Sequence, residues 1–169
     1  MSQSAIADIQ PRSENLAYLG LGANLGDAQA TLHAAIDALR ALPNSRVVGL
    51  SSFYRSAPIE ASGPDYINAV VSLTTTLPPL ALLQAVQAIE HAHGRERPYR
   101  NAPRTLDIDL LLYGDVQINT TELTLPHPRL TERAFVLYPL LEIAPAHLPL
   151  LGELAQYLPA VTVQPVVQI

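Results

Sequence analysis

Cysteine, lysine and tryptophan are all missing from this 169-residue chain. Without thiols there is neither a disulfide nor a thiolate metal site, which fits a reducing compartment. Without lysine, a phosphate loop of the Gly-Lys-Ser type and a lysine nucleophile are both excluded. All ten basic residues are therefore arginine. Aromatic residues make up only 5% of the chain, with two Phe, so the stacking sheet of a single-strand RNA binder is not on offer. A net charge of −5 argues against general nucleic-acid binding, which needs a broad basic surface. No apolar run approaches the roughly 18 residues of a membrane span, and no basic-then-apolar secretory segment opens the chain. The expectation is a cytoplasmic monomer that engages neither nucleic acid nor membrane.

What the chain does have is enough apolar residue, 49% against 15% charged, to bury the core of one domain. Residues 1–15 are polar and aperiodic and read as a flexible leader; 16–158 form the domain, and 159–169 a C-terminal tail. Leu16 to Leu21 predicts a first strand, ending in the glycine-rich turn Gly20 to Asp27. Gly20, Gly22 and Gly26 imitate a dinucleotide fingerprint. The third glycine is one place late, however, and no acidic residue follows about 20 positions on, so a Rossmann site is rejected. Asp27 is the expected cap of a helix carrying Leu32, Ile36, Leu39 and Leu42 inward. Val47 to Tyr54 predicts a second strand, and Tyr66 to Leu77 a third. Pro78-Pro79 opens a second helix with Leu82, Leu83, Val86 and Ile89 on its inner stripe. Near its end lie Glu90, His91 and His93; the two histidines do not share a helical face and read as solvated. Val116 to Leu125 suggests a hairpin, Thr131 to Leu141 a helix capped by Thr131 with Arg133 in its first turn, and 150–158 a short last helix.

The densest chemistry lies in Arg95 to Tyr113. Arg95, Arg97, Arg100 and Arg104 sit on a proline-broken loop that runs straight into an apolar segment bearing Asp107 and Asp109. In a strand of period two, both aspartates share one face, roughly 6 to 7 Å apart, while Leu106, Ile108, Leu110 and Leu112 share the other. An isolated Asp-x-Asp is often no more than the wet side of a half-buried strand. Beside four arginines it suits Mg2+, which takes one or two carboxylates plus phosphate oxygens, with guanidinium groups as bidentate phosphate partners. Tyr66 and Asn68 fall side by side on the outward face of their strand, where they could clamp a flat heterocycle, although such a pair is commonly structural. A two-metal phosphodiesterase would need Glu90 or His127 as further ligands. A non-catalytic binding module is the other alternative.

The order strand, helix, strand, strand, helix, strand is that of a ferredoxin-like βαββαβ sandwich of the α+β class. Its antiparallel sheet carries two helices on one face, with additional C-terminal helices. Little sequence remains to cover the other face.

Several segments, in order over about residues 16–158, resemble the 6-hydroxymethyl-7,8-dihydropterin pyrophosphokinase family. They are Gly22-Ala-Asn24-Leu25, Ser51 to Ser56, Asp65-Tyr66-Ile67-Asn68-Ala69, Pro126-His127, Arg133-Ala134-Phe135 and, most specific, Ala102 to Leu111. The resemblance implies that pyrophosphate passes from ATP to a pterin hydroxymethyl oxygen, releasing AMP, with two Mg2+. It implies that Asp107 and Asp109 hold the metals, and that Arg95 and Arg104 meet the phosphates as catalytic groups from a mobile loop. Ser56, Ala57, Ile59, Tyr66, Asn68 and Phe135 would bind the pterin. Glu90, Arg97, His127 and Arg133 would contact ATP. Two positions depart from the family pattern. Asn101 stands where many relatives carry tryptophan, and Glu122 where some carry a basic residue.

Overall fold

The computed structural model describes residues 13–58, 63–93 and 106–169. The order is β1 (Asn15–Ala23), α1 (Ala28–Arg40), β2 (Ser45–Leu50), β3 (Tyr54–Ser56), β4 (Tyr66–Thr75), α2 (Pro79–His93), β5 (Asp107–Tyr113), β6 (Ile118–Asn119) and β7 (Thr124–Leu125). Then come α3 (Ala134–Ile143), β8 (His147–Leu148), β9 (Gly152–Glu153), α4 (Leu158–Val161) and β10 (Val166–Gln168). The main sheet runs β10-β3-β4-β1-β5, with β2 also on β4, and every pairing in it is antiparallel. This is the expected ferredoxin-like arrangement: each helix crossover skips a strand, which puts β1 in the middle between β4 and β5. Asp27 does cap α1, its carboxylate accepting from Ala30 N–H at 3.1 Å.

Residues buried on one face of the sheet pack against Leu32, Ile36 and Leu39 of α1 and Leu82, Val86 and Ile89 of α2. The opposite face, for which the sequence suggests little cover, is in fact well covered. Tyr18, Val70, Leu111 and Leu112 form a second core with Leu130, Val136, Leu137, Leu140 and Leu154, so α3 and the turns after it lie across that face. Sidedness of α3 is hard to see in Ala134–Ile143 because the helix is apolar nearly throughout. It also starts later than expected: Thr131 belongs to a 3-10 turn (Leu130–Glu132), and Arg133 occupies the N-cap without a capping hydrogen bond from its side chain.

Two strands depart from simple alternation. Val47 to Tyr54 is not one strand but two, β2 and β3, interrupted at Ser51, whose Oγ accepts the N–H of Val70 at 2.9 Å. In β5 the register against β1 shifts, Tyr18 facing Leu112 and Leu19 facing Leu110, so Leu111 is an extra, bulged residue. Leu112 consequently joins the α3 side rather than the side of Leu106, Ile108 and Leu110. The stretch after Leu158, unassigned in the sequence, supplies β10, which pairs with β3. Among the described residues no helix is long and apolar enough to cross a membrane.

Candidate active site

α3 covers only part of its face of the sheet. Beyond its N-terminus that face falls into a hollow of about 340 Å3 lined by Gly20, Gly22, Ser56, Ala57, Tyr66, Asn68, Asp107, Asp109, Arg133 and Phe135. Its floor is main chain. Gly22 lies between Asn68 of β4 and Asp107 of β5, and Gly20 between Val70 and Asp109. A methyl group on Gly22 would come within 3.2 Å of Asn68 Oδ1. Gly22, part of the rejected nucleotide motif, thus keeps the hollow open by having no side chain to fill it, whereas a methyl group on Gly20 would meet Leu111 at 3.5 Å. Asn68 is only 3% exposed, and its Nδ2 donates to Ser56 Oγ at 2.7 Å. That bond satisfies the buried amino group and fixes the amide with Oδ1 toward Gly22. Tyr66 and Phe135 offer ring surface nearby.

A second hollow, also about 340 Å3, opens on the other side of the aspartates between α2, β5 and the β6–β7 hairpin. Gln87, Glu90, Thr120, Thr121, Glu122, Thr124 and His127 line it, with Asp107 and Asp109. Gln87 escaped the sequence reading, although its position three residues before Glu90 places both on one helical side. Glu90 is 5% exposed, and its Oε2 accepts the N–H of Ile108 at 2.9 Å, between the two aspartates. The exposed His91 and His93 remain outside the hollow.

Asp107 and Asp109 are the residues common to both hollows, each half-buried. Among the described residues no group of three or more His, Asp or Glu side chains converges. The pair is therefore a partial ligand set, suited to Mg2+ that completes its shell with phosphate oxygens and water. Arg133 Nη1 stands 4.0 Å from Asp109 Oδ2, and its guanidinium lies over the Phe135 ring at 5.5 Å. Burial lowers the pKa of His127 below the ordinary imidazole value; Arg133 and Arg129 push the same way against Asp109. Arg129 N–H donates to His127 Nδ1 at 3.1 Å, which leaves the proton of the neutral ring on Nε2.

Of the residues singled out in the sequence, Ser56, Ala57, Tyr66, Asn68 and Phe135 gather in the first hollow, Glu90 and His127 in the second, with both aspartates at the border. Arg133 lines the first hollow, beside Asp109, rather than the second. Ile59, Arg95, Arg97 and Arg104 lie outside the described residues.

Residues 18–145 match the family model described as 7,8-dihydro-6-hydroxymethylpterin-pyrophosphokinase. A 2-amino-4-hydroxy-6-hydroxymethyldihydropteridine pyrophosphokinase of Pseudomonas aeruginosa is 46% identical over 129 residues, 76% of this chain and 80% of that one. Its namesake in Methylorubrum extorquens is 48% identical over 130 residues, 76% and 82% of the two chains. Among solved structures, the fold is similar to that of Plasmodium falciparum HPPK-DHPS, with a TM-score of 0.68 at 14% identity. That match covers 88% of this chain and 44% of the larger one.

Proposed function

The chain belongs to the 7,8-dihydro-6-hydroxymethylpterin-pyrophosphokinase family, and from that we propose how its two hollows divide the substrates. It is an ATP-dependent diphosphokinase of folate synthesis, moving a pyrophosphoryl group onto hydroxymethyldihydropterin. The reduced pterin occupies the first hollow, between Tyr66 and Phe135, with the Asn68 amide and the Ser56 to Ile59 segment reading its polar edge. ATP occupies the second, with Glu90, Arg97 and His127 as its contacts, and Arg133 meets its phosphates from the first hollow, across Asp109. The observation that carries this division is that, among the described residues, Asp107 and Asp109 are the two that line both hollows.

Asp107 and Asp109 would hold two Mg2+, which when bound would neutralise the charge on the phosphates. The pterin hydroxymethyl oxygen attacks the β-phosphorus of ATP, and AMP leaves. No side chain forms a covalent intermediate. Catalysis is positioning and charge balance, which a chain without cysteine or lysine is equipped to provide. His127 donates from Nε2 as a neutral group, and Arg133 brings a fixed cation to the edge of Asp109. Arg95 and Arg104 supply further positive charge to the transferring group. Work in the cytoplasm as a monomer completes the reading. The test is to supply ATP, Mg2+ and the reduced hydroxymethylpterin: one AMP should appear per pterin diphosphate. Release of ADP or phosphate without pterin would overturn it.

A further inference from the structure

Nothing in the reaction as set out uses Gln164, which lies between α4 and β10. Its side-chain Oε1 accepts the N–H of Ala134 at 2.8 Å. Its Nε2 donates to the carbonyl oxygen of Glu132, also at 2.8 Å. A single amide therefore holds the peptide groups on both sides of Arg133. At that residue the chain passes from the 3-10 turn into α3 through an extended conformation, φ −122° and ψ 117°, leaving the first N–H groups of the helix in need of acceptors. Arg133 gives no such cap; Gln164 supplies it from 30 residues away. Gln164 is itself fixed on both sides. Its N–H donates to Val161 O at 3.0 Å, and two residues on, Val166 pairs with Ser56, the residue that orients Asn68.

We propose that Gln164 is a positioning residue for Arg133, its amide setting the backbone from which the guanidinium reaches the border between the two hollows. This rests on the assignment of Arg133 to the nucleotide phosphates. From this backbone the guanidinium meets both the carboxylate of Asp109 and the face of Phe135. A turn of about 10° at residue 133 swings the end of a side chain roughly 6 Å long by about 1 Å, and a misplacement of that size can cost up to about a hundredfold in rate. A purely structural cap would lower stability without acting through Arg133.

The experiment measures initial rates, the affinity for a non-hydrolysable ATP analogue with Mg2+ by calorimetry, and Tm. It compares the parent chain, Gln164→Ala, Gln164→Glu, Arg133→Ala and the double variant Arg133→Ala/Gln164→Ala. Gln164→Ala should lower kcat/KM for ATP about tenfold, on the scale of about 1.4 kcal/mol, and should change the pterin KM no further than Arg133→Ala does, because Arg133 also lines the first hollow over Phe135. The double variant should be no worse than Arg133→Ala, in rate and in analogue affinity. Gln164→Glu keeps the acceptor for Ala134 at a helix N-terminus that favours negative charge. It should keep more of the parent Tm than Gln164→Ala yet lose ATP efficiency, because its carboxylate repels the Glu132 carbonyl that the amide held. Multiplicative losses in the double variant, or folded Gln164 variants with parental constants, would overturn the proposal. A parent chain that makes no AMP would instead count against the activity, and the analogue-affinity cycle would still decide the role of Gln164.

Discussion

The two hollows beside Asp107 and Asp109 have equal volume and opposite construction. The first is cut into the sheet itself. Glycines make its floor, Asn68 and Ser56 are locked to each other inside it, and α3 and the pairing of β3 with β10 brace its walls. The second is laid against the side of the sheet by the β6–β7 hairpin, whose strands are two residues each, and by α2, and most of its polar groups, Gln87, Thr120, Thr121 and Glu122, are solvent-exposed. A rigid slot selects a flat ring by shape and by the orientation of one amide. An open polar trough suits a long, flexible, charged molecule that brings its own hydration. On the division proposed above, specificity falls to the first side and charge handling to the second.

Breaking the border should affect both sides at once and give the largest effect. Asp107→Ala or Asp109→Ala is expected to reduce kcat by about a thousandfold or more, on the scale of losing a main electrostatic stabiliser. Tm should fall little because both carboxylates are half-exposed; a large loss of Tm would return them to a structural role. Next is Gly22→Ala, whose methyl group crowds Asn68 Oδ1 at 3.2 Å. The pterin KM should rise about tenfold, the scale of one displaced hydrogen bond to a buried amide, while titration with an ATP analogue is unchanged. Equal damage to both ligands would erase the division. His127→Ala is the converse: analogue affinity should weaken by about five- to tenfold, as for one lost polar contact, with the pterin KM constant.

The smallest effect concerns, in acid, the tie between the C-terminal end of α3 and the start of β3, away from the first hollow. Glu142 of α3 accepts from Ser52 N–H at 2.9 Å and from the Tyr54 hydroxyl. Burial raises its pKa, but these hydrogen bonds outweigh burial and hold it below the ordinary value of 4.5. Because the folded-state pKa is lowered, the stabilisation is present above that value and disappears as pH falls through the folded pKa. Glu142→Gln should therefore have a lower Tm than the parent near neutrality and a shallower loss of Tm in acid. Parallel Tm curves for the two proteins would remove Glu142 from that tie.

The elements that position the chemistry were legible where local pattern dictates them. Period two put Asp107 and Asp109 on one face, the Asp27 cap and the prolines at 78 and 79 bounded their helices, and the strand and helix order implied the sheet topology. What escaped depends on contacts between distant segments. The Leu111 bulge exists only relative to β1, so alternation alone misassigned Leu112. Gly20 and Gly22 look like a failed phosphate motif until β4 and β5 flank them. The cover given by α3 could not be read from a helix apolar all round, and the last strand is too short and too exposed to announce itself before it meets β3. Gln87 was missed for a plainer reason: an exposed glutamine on a helix has no pattern of its own.

The glycine floor of the first hollow also limits how this site can change by mutation. A compound resting on Gly20 and Gly22 touches peptide atoms that every residue type shares, so no substitution can take that contact away by altering a side chain. The heritable change left at Gly22 is to add bulk, and with the pterin in the first hollow as proposed, bulk there would exclude the natural substrate as well as the compound. Inhibitors that draw their affinity from the floor should meet resistance more slowly than those that lean on Phe135 or Tyr66, whose rings can be exchanged.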